Sequence, residues 1–184
     1  MPSEKEKMIR GDPYDPRDPA LCAAREGARE LLRLINSPAE STDRGSFLAE
    51  LFGSAGSGLW VEPPFFCDYG FNVHVGDQVY FNFNCVILDP AQVRIGSRTL
   101  FGPAVQIYTA AHPLAAEDRR SGLESARPVS IGDDVWVGGN VVVLPGLTIG
   151  SRSTIGAGSV VTTDVPEGVL AVGNPCRVIR SLDG

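Results

Sequence analysis

The sequence lacks the features that define several common classes of protein. No apolar run approaches the roughly 20 residues of a membrane-spanning helix, which argues against a transmembrane protein. Lys and Arg number 16 against 22 Asp and Glu, and the net charge of −6 argues against a broad nucleic-acid-binding face and a polybasic membrane anchor. The polar, proline-rich start of the chain contains no apolar stretch of a signal peptide, so we expect a cytoplasmic protein.

Cysteine is scarce, and its spacing argues against a zinc site or a disulfide framework. The four cysteines are far apart and form no CxxC pair; they are Cys22, Cys67, Cys85 and Cys176. We interpret them as buried or incidental thiols in a reducing compartment, and we expect no bound metal.

Glycine and proline, in contrast, are abundant. The chain has 21 glycines and 14 prolines among many valines and isoleucines, a combination that predicts many short strands joined by turns. A length of 184 residues suits one domain with a core of its own. A hydrophobic content of 43% is ordinary for a globular protein and excludes wholesale disorder.

Helical periodicity is confined to the part of the chain before about residue 60. Over 19–35, apolar residues recur at intervals of three and four, which predicts an amphipathic helix. Asp18, followed by Pro19, predicts the N-cap of this helix. A shorter helix is predicted over 44–52, with Gly53 ending it.

A six-residue repeat replaces the helical pattern further along the chain. From Ile131, six blocks follow one another without a gap: IGDDVW, VGGNVV, VLPGLT, IGSRST, IGAGSV and VTTDVP. The first residue of every block is aliphatic, and an earlier, less regular set begins at Val75. This period predicts a parallel β-helix in which the first residues point inward. Glycine after the first residue suits either a turn with positive φ or a close approach of backbone segments.

These blocks resemble the hexapeptide-repeat acyltransferases, whose fold is a left-handed parallel β-helix. Further motifs resemble one subgroup, the sugar O-acetyltransferases typified by maltose and galactoside acetyltransferases: WVEPPFFCDYGFNVHVG, NFNCVILD, YTAAHP, PVSIGDDVWVGG and VGNPCRVIR. The resemblance implies an all-β protein, a left-handed parallel β-helix with a small N-terminal helical segment and a projecting loop. We expect an acceptor-side helical segment over 1–58, a β-helix acetyltransferase domain over 59–170 with its loop at 113–128, and a C-terminal tail over 171–184.

His112, in YTAAHP, is the candidate catalytic residue. A hydroxyl is a poor nucleophile until a base removes its proton, and histidine can act as that base near neutral pH. His112 lies where the regular repeats give way to the polar stretch 113–128, and the family's catalytic histidine occupies this motif. We therefore expect acetyl-CoA-dependent transfer to a hydroxyl, with His112 as general base. His74 fits the strand pattern and is interpreted as structural.

The resemblance implies acceptor contacts at Asp68, Asn82 and Asp89. Asn82 in FNFNC matches a sugar-contacting asparagine of the family, and Asp68 in CDYG matches a further contact. Another acceptor carboxylate of the family falls one residue after Asp89, where this chain has Pro90. Carboxylate and amide groups supply the hydrogen bonds that sugar hydroxyls need. The N-terminal contact is left among three residues, Asp15, Pro16 and Asp18.

Coenzyme A is long, anionic and partly apolar, so its groove needs small residues and a few cations. By resemblance, Gly139 and Ala157 leave room for pantetheine, and Thr162 and Thr163 bond its amides. The phosphates are expected at two arginines of the CRVIR motif, Arg177 and Arg180. Members of the family often have Ser at position 139 and Lys at position 163. Trp136 either covers the thiol end of the site or packs between subunits.

The resemblance further implies a homotrimer with active sites between subunits. Maltose or glucose is the expected acceptor, because the CDYG and LDP motifs resemble the maltose-type members of the family more than the galactoside-type members. The alternatives are an acetyltransferase for an oligosaccharide, serine or an antibiotic, and a non-catalytic β-helix scaffold. The scaffold explains the repeats but not YTAAHP together with CRVIR. A carbonic anhydrase on this fold needs three metal-binding histidines, whereas the chain has 2.

Overall fold

The computed structural model describes residues 1–38 and 44–182 and contains four helices within them. They are α1 (Glu4–Arg10), α2 (Pro19–Ile35), α3 (Arg44–Leu51) and α4 (Ala116–Arg119). The prediction of a helix over 19–35 is confirmed, and Asp18 caps it by accepting hydrogen bonds from the amides of Ala20 and Leu21. The helix predicted over 44–52 is also found, and it ends at Leu51. No helix in the described part of the chain is long and apolar enough to cross a membrane.

Helix α1 has no counterpart among the helices predicted from the sequence. Its residues are mostly polar, and Met8 is its one buried residue, so it carries no apolar periodicity. The helix is instead defined at its ends. The side chains of Ser3 and Glu6 form a reciprocal capping box at the start, and Gly11, with a φ of 79°, ends it.

Three parallel sheets form the faces of a β-solenoid of about six turns. Face 1 comprises β1 (Ser54–Ala55), β4 (Val73–Val75), β7 (Val93–Ile95), β12 (Val129–Ile131) and β15 (Thr148–Ile149). Face 2 comprises β2 (Trp60–Val61), β5 (Tyr80–Phe81), β8 (Leu100–Phe101), β13 (Trp136–Val137), β16 (Thr154–Ile155) and β18 (Val169–Val172). Face 3 comprises β3 (Phe65–Cys67), β6 (Cys85–Leu88), β9 (Gln106–Tyr108), β14 (Val142–Val143) and β17 (Val160–Val161).

Two antiparallel pairs interrupt or end the solenoid. The hairpin of β10 (Ala110–Ala111) and β11 (Ser125–Ala126) is inserted between β9 and β12; β11 lies within the predicted loop 113–128, whereas β10 precedes it. The last strand, β19 (Arg177–Ser181), pairs with β18 and forms the outer edge of face 2. Strand β1 lies within 1–58 and β18 extends past residue 170, so coil pairing continues beyond 59–170 on both sides.

The six-residue period sets which side chains enter the core. The first residues of the six contiguous blocks are all at most 3% exposed; they are Ile131, Val137, Val143, Ile149, Ile155 and Val161. In the adjacent coils, the residues paired with these six positions are also aliphatic or aromatic. The predicted parallel β-helix with inward-pointing first residues is therefore confirmed.

The glycines that follow the first residues allow coils to approach closely. A Cβ atom added at Gly138 would lie 2.6 Å from the amide nitrogen of Ala157 in the next coil, a distance that forces the backbone apart. Positive φ occurs instead at the fourth residue of the block, as at Asp134, Asn140 and Arg152, whose φ angles are 57°, 56° and 60°. Of the two reasons for glycine that the sequence leaves open, close approach accounts for Gly138.

Helices α2 and α3 cover the first coil. Apart from Leu21, their buried residues belong to the same hydrophobic core as the strands, and the contact continues inward through a row of aromatic rings. The ring centroids of Phe52 and Phe65 lie 5.7 Å apart, those of Phe65 and Phe81 5.6 Å, and those of Phe81 and Phe101 4.5 Å. The two helices thus protect an open edge of the solenoid, and α2 also forms one side of the cleft described below.

Candidate active site

The corner between face 3 and face 1 carries a column of polar residues. Asp68 follows β3, Asp89 follows β6, and His112 follows β10, the first strand of the hairpin inserted after β9. A cleft of about 410 Å³ opens beside this corner. The N-terminal segment and α2 form its other side, through residues that include Pro16, Arg17, Arg25 and Arg29.

His112 lies on the hairpin with its imidazole open to the cleft. Its side chain is 56% exposed, and its Nε2 atom lies 3.8 Å from Oε1 of Glu124. The register of β10 and β11, in which Ala111 pairs with Ser125, places these two residues opposite each other. The prediction from YTAAHP thus identifies a residue that has access to the cleft.

The side chain of Glu124 is held in position by Tyr14, which lies beneath it in the protein interior. The buried Tyr14 hydroxyl donates a 2.8 Å hydrogen bond to Oε2 of Glu124. The two backbones also exchange hydrogen bonds of 3.0 and 3.1 Å, which join the N-terminal segment to the hairpin. Burial, followed by the bond to Glu124, raises the pKa of Tyr14, so this hydroxyl remains a donor near neutral pH.

Asp68 and Tyr69 form part of the floor of the cleft. The guanidinium group of Arg25 donates 2.6 Å hydrogen bonds to the Tyr69 hydroxyl and to the Pro16 carbonyl oxygen, and so links α2, the floor and the N-terminal segment. Burial raises the pKa of Asp68, and the charge of Arg25 partly opposes that rise. Asp68 therefore presents a carboxyl group to the cleft at a site that is only partly open to water.

Asp89 lies beneath the floor rather than in the lining of the cleft. It has no exposed surface, and its Oδ1 atom accepts hydrogen bonds of 3.0 and 2.9 Å from the amides of Asp68 and Tyr69. Its Oδ2 atom has no hydrogen-bond partner among the residues described. Burial raises the pKa of Asp89 to about 6, against the effect of the bond from the Tyr69 amide. In this structure Asp89 supports the backbone that presents Asp68.

The three N-terminal candidates have different positions. Pro16 lines the cleft. Asp18 is engaged as the N-cap of α2, and Asp15 forms an ion pair with Arg17, with 2.9 Å between Oδ1 and Nε. Arg17 lines the cleft but was not among the candidates from the sequence.

Other cleft residues were also missed by sequence reasoning. Arg25 and Arg29 are four residues apart on α2, a spacing that places them on one helix face and offers a signal for a shared surface. Tyr14 and Glu124 offer no such signal, because an isolated bridge between distant segments joins them.

A second set of predicted residues lies at the corner between face 2 and face 3. Asn82, Gly139 and Ala157 follow β5, β13 and β16, and the amide of Gly158 donates a 2.9 Å hydrogen bond to the Gly139 carbonyl oxygen. The side-chain oxygen of Asn82 accepts a 2.8 Å hydrogen bond from the amide of the next residue. Asn82 is therefore in line with the predicted coenzyme groove and does not line the cleft of His112 in the same chain.

The remaining predicted coenzyme residues are distributed over the last coils. Trp136 is 57% exposed on face 2, in register with Leu100 and Thr154. Arg177 and Arg180 lie on the exposed strand β19. The last two, Thr162 and Thr163, follow β17 at the corner that also carries His112.

Metal-dependent chemistry and covalent catalysis by a cysteine need groups that can be checked in the same structure. No group of three metal-ligating side chains occurs in the described ranges 1–38 and 44–182. Two thiols of face 3 are buried: burial raises the pKa of Cys67 well above its usual value and that of Cys85 to about 11. Buried thiols of this kind stay protonated and are poor nucleophiles.

An accessible histidine at the corner of a hexapeptide-repeat solenoid defines the class of the protein, which is that of the hexapeptide-repeat acyltransferases. Family models agree: a bacterial transferase hexapeptide model (six repeats) matches residues 128–163, and the maltose acetyltransferase hexapeptide capping motif matches residues 7–56. The chain belongs to the maltose and galactoside acetyltransferase family within this class.

Individual relatives support this assignment over nearly the whole chain. A maltose O-acetyltransferase structure from Clostridium difficile 630 is 47% identical with a TM-score of 0.97, covering 100% of this chain and 99% of that one. A galactoside acetyltransferase structure in complex with coenzyme A is 40% identical with a TM-score of 0.95, covering 100% and 92%. Nodulation protein L of Rhizobium meliloti is 50% identical, covering 96% of this chain and 97% of its own length.

Proposed function

We propose that this protein transfers an acetyl group from acetyl-CoA directly to a hydroxyl of a glucosyl acceptor such as maltose or glucose. The observation that carries the proposal is the open imidazole of His112 in a cleft that also presents the carboxyl groups of Asp68 and Glu124. Carboxylates accept hydrogen bonds from hydroxyl donors, and the three arginines in the lining of the same cleft offset their charge, so the cleft suits a neutral acceptor rich in hydroxyls. The complex of a related galactoside acetyltransferase with coenzyme A supports acetyl-CoA as the donor.

His112 acts in this proposal as general base and then as general acid. It accepts the proton of the attacking hydroxyl while that oxygen forms a bond to the thioester carbonyl carbon. It then returns the proton to the departing thiolate as the carbon–sulfur bond breaks. Acetyl ester and free thiol are the products, and no other group is consumed.

Direct transfer is favoured over an acetyl-cysteine intermediate. Cys67 and Cys85 are the thiols closest in sequence to the floor of the cleft, and both are buried with raised pKa values. A route through either would require a protonated, inaccessible thiol to attack the thioester. Intersecting initial-rate lines support direct transfer, and parallel lines would contradict it.

The proposed coenzyme groove uses the residues that resemble the family's contacts. Gly139 and Ala157 stack in adjacent coils and leave space for the pantetheine arm. Thr162 and Thr163 supply hydroxyls for its amides. The cations Arg177 and Arg180 lie on the exposed β19 and suit the phosphates.

We propose a homotrimer in which the acceptor cleft of one subunit meets the coenzyme groove of another. Within one chain, His112 and Gly139 lie at different corners of the solenoid. Face 2 also carries exposed apolar side chains in register, including Trp60, Leu100 and Trp136, and an apolar patch of this kind is typical of an interface. In that trimer, Trp136 either covers the thiol end of the coenzyme or packs between subunits.

We also propose that the protein works in the cytoplasm, because its four cysteines are unpaired, as is usual in a reducing compartment.

The oligomer is tested by light scattering of the purified protein at micromolar concentration. We expect association because a complete site requires two corners that one chain keeps apart, and we expect the mass of three chains because the family resemblance implies a trimer. A monomer at that concentration would contradict both the trimer and the shared site.

Acceptor preference is tested by thiol release from acetyl-CoA in the presence of matched sugars. We expect kcat/KM for glucose or maltose to exceed that for a galactoside by about tenfold, which corresponds to roughly 1.4 kcal/mol. The support is local: Cys67 and Asp68 precede Tyr69 and Gly70 in the CDYG motif, and Pro90 stands where another acceptor carboxylate of the family falls. A galactoside preference would overturn the choice of sugar, and fast transfer to serine or another non-sugar acceptor alone would overturn the sugar assignment.

A further inference from the structure

Glu124 has two carboxylate oxygens with different surroundings. Oε2 accepts the 2.8 Å hydrogen bond from the buried Tyr14 hydroxyl, which holds the group in place from below. Oε1 faces His112, at 3.8 Å from Nε2. That distance exceeds a hydrogen bond, so the two residues do not satisfy each other directly.

The cleft therefore offers two hydrogen-bond acceptors side by side. One is an imidazole nitrogen of His112, since a neutral imidazole has one acceptor nitrogen, and the other is Oε1 of Glu124. Both belong to facing residues of one hairpin, and the backbone bonds between Tyr14 and Glu124 fix that hairpin against the N-terminal segment. Two acceptors held in this way match two hydroxyl donors on one sugar, because each hydroxyl can donate one hydrogen bond.

We propose that Glu124 is a specificity-determining residue that binds the hydroxyl next to the one that His112 deprotonates. This inference rests on the proposed transfer to a sugar. Glu124 accepts a hydrogen bond from the neighbouring hydroxyl and thereby orients the reacting one toward Nε2. Tyr14 is a positioning residue for Glu124, since its hydroxyl occupies Oε2 and leaves Oε1 for the acceptor.

The test compares glucose with a set of analogues that each lack one hydroxyl: 1,5-anhydroglucitol and 2-, 3- and 4-deoxyglucose. In the wild-type enzyme, one analogue should have a kcat/KM about 10–100-fold below that of glucose, as expected for loss of a hydrogen bond to a charged group. In Glu124→Ala, glucose should fall by a similar factor, and that analogue should then be used as well as glucose. This loss of discrimination would not follow from a structural role.

Glu124→Gln provides a second variant that keeps the shape of the side chain and an oxygen acceptor. It should retain discrimination for the same analogue, with a smaller factor than the wild type. Glu117→Ala, at an exposed glutamate of α4 in the same inserted segment, is the matched control and should behave as the wild type. If Glu124→Ala does not fold, the factor measured with Glu124→Gln decides the question.

Several outcomes would overturn the inference. Equal losses for glucose and every analogue would show that Glu124 has only a structural role, and an unchanged kcat/KM would show that it has none in acceptor binding. Unaltered discrimination in Glu124→Ala would show that another group binds the neighbouring hydroxyl. If the wild-type enzyme acetylates no sugar but transfers acetyl rapidly to another acceptor, the proposed function fails first, and this inference falls with it.

Discussion

His112→Ala is expected to lower kcat for acetyl transfer by about 10²–10⁴-fold, the usual contribution of general base catalysis. Coenzyme A binding should stay near its wild-type value. The imidazole is more than half exposed and makes no hydrogen bond within the described part of the chain that holds the hairpin, which is fixed by backbone pairing of Ala111 with Ser125. The substitution therefore removes the base and leaves the cleft in place.

The measurement combines thiol-release rates with a direct titration of coenzyme A. His74→Ala is the matched control, because His74 lies on β4 of face 1, with its Nδ1 atom 3.2 Å from the Ser54 hydroxyl and outside the cleft. It should leave the rate unchanged. A loss of coenzyme binding as large as the loss of rate would make His112 a ligand-binding or structural residue instead of a base.

The core of the solenoid could be predicted from the sequence because the same six-residue pattern repeats. Each block puts an aliphatic side chain at its first position, and Ile131, Val137 and Val143 are buried in consecutive strands as a result. Helix α2 was predictable for the same reason, since its apolar face repeats along its length. Helix α1 was not, because its capping box stabilises a helix with a single buried residue.

The candidate site was only partly predictable, because its groups meet through tertiary contacts. His112 stands in a motif and at a break in the repeats, which are both visible in the sequence. Glu124 owes its position to a bridge with Tyr14, 110 residues away. Asp89 carries a motif-based expectation of acceptor contact, yet the turn after β6 directs its carboxylate inward to two amides. The Asp89 carboxylate is buried because of how neighbouring coils pack, and a short sequence motif does not show that packing.

Asp89 should make the stability of the protein depend on pH. Its folded pKa of about 6 lies above the roughly 3.9 of an unfolded aspartate. The folded state therefore binds this proton more tightly, so the contribution of Asp89 to stability is fully present below about pH 4, is lost between about pH 4 and 6, and is level above that range. The pKa difference corresponds to a loss of roughly 3 kcal/mol.

Asp89→Asn is expected to remove this loss. The amide oxygen can still accept the hydrogen bonds from Asp68 and Tyr69, and the side chain no longer ionises. The free energy of unfolding of the variant relative to wild type should therefore rise between pH 4 and pH 6 by up to about 3 kcal/mol. A new unpaired amide group in place of Oδ2 would lower stability by the same amount at every pH, without altering this slope.

Urea unfolding at pH 4, 6 and 8, at one fixed protein concentration, measures the effect. Fixed concentration is needed because subunit association contributes to stability. Asp118→Asn, at an exposed carboxylate of α4, is the control and should follow the wild type at each pH. A difference between Asp89→Asn and wild type that stays constant from pH 4 to pH 8 would contradict the prediction. It would mean that the Asp89 carboxyl is already ionised at the lowest pH, so that the two amide hydrogen bonds outweigh the cost of burial.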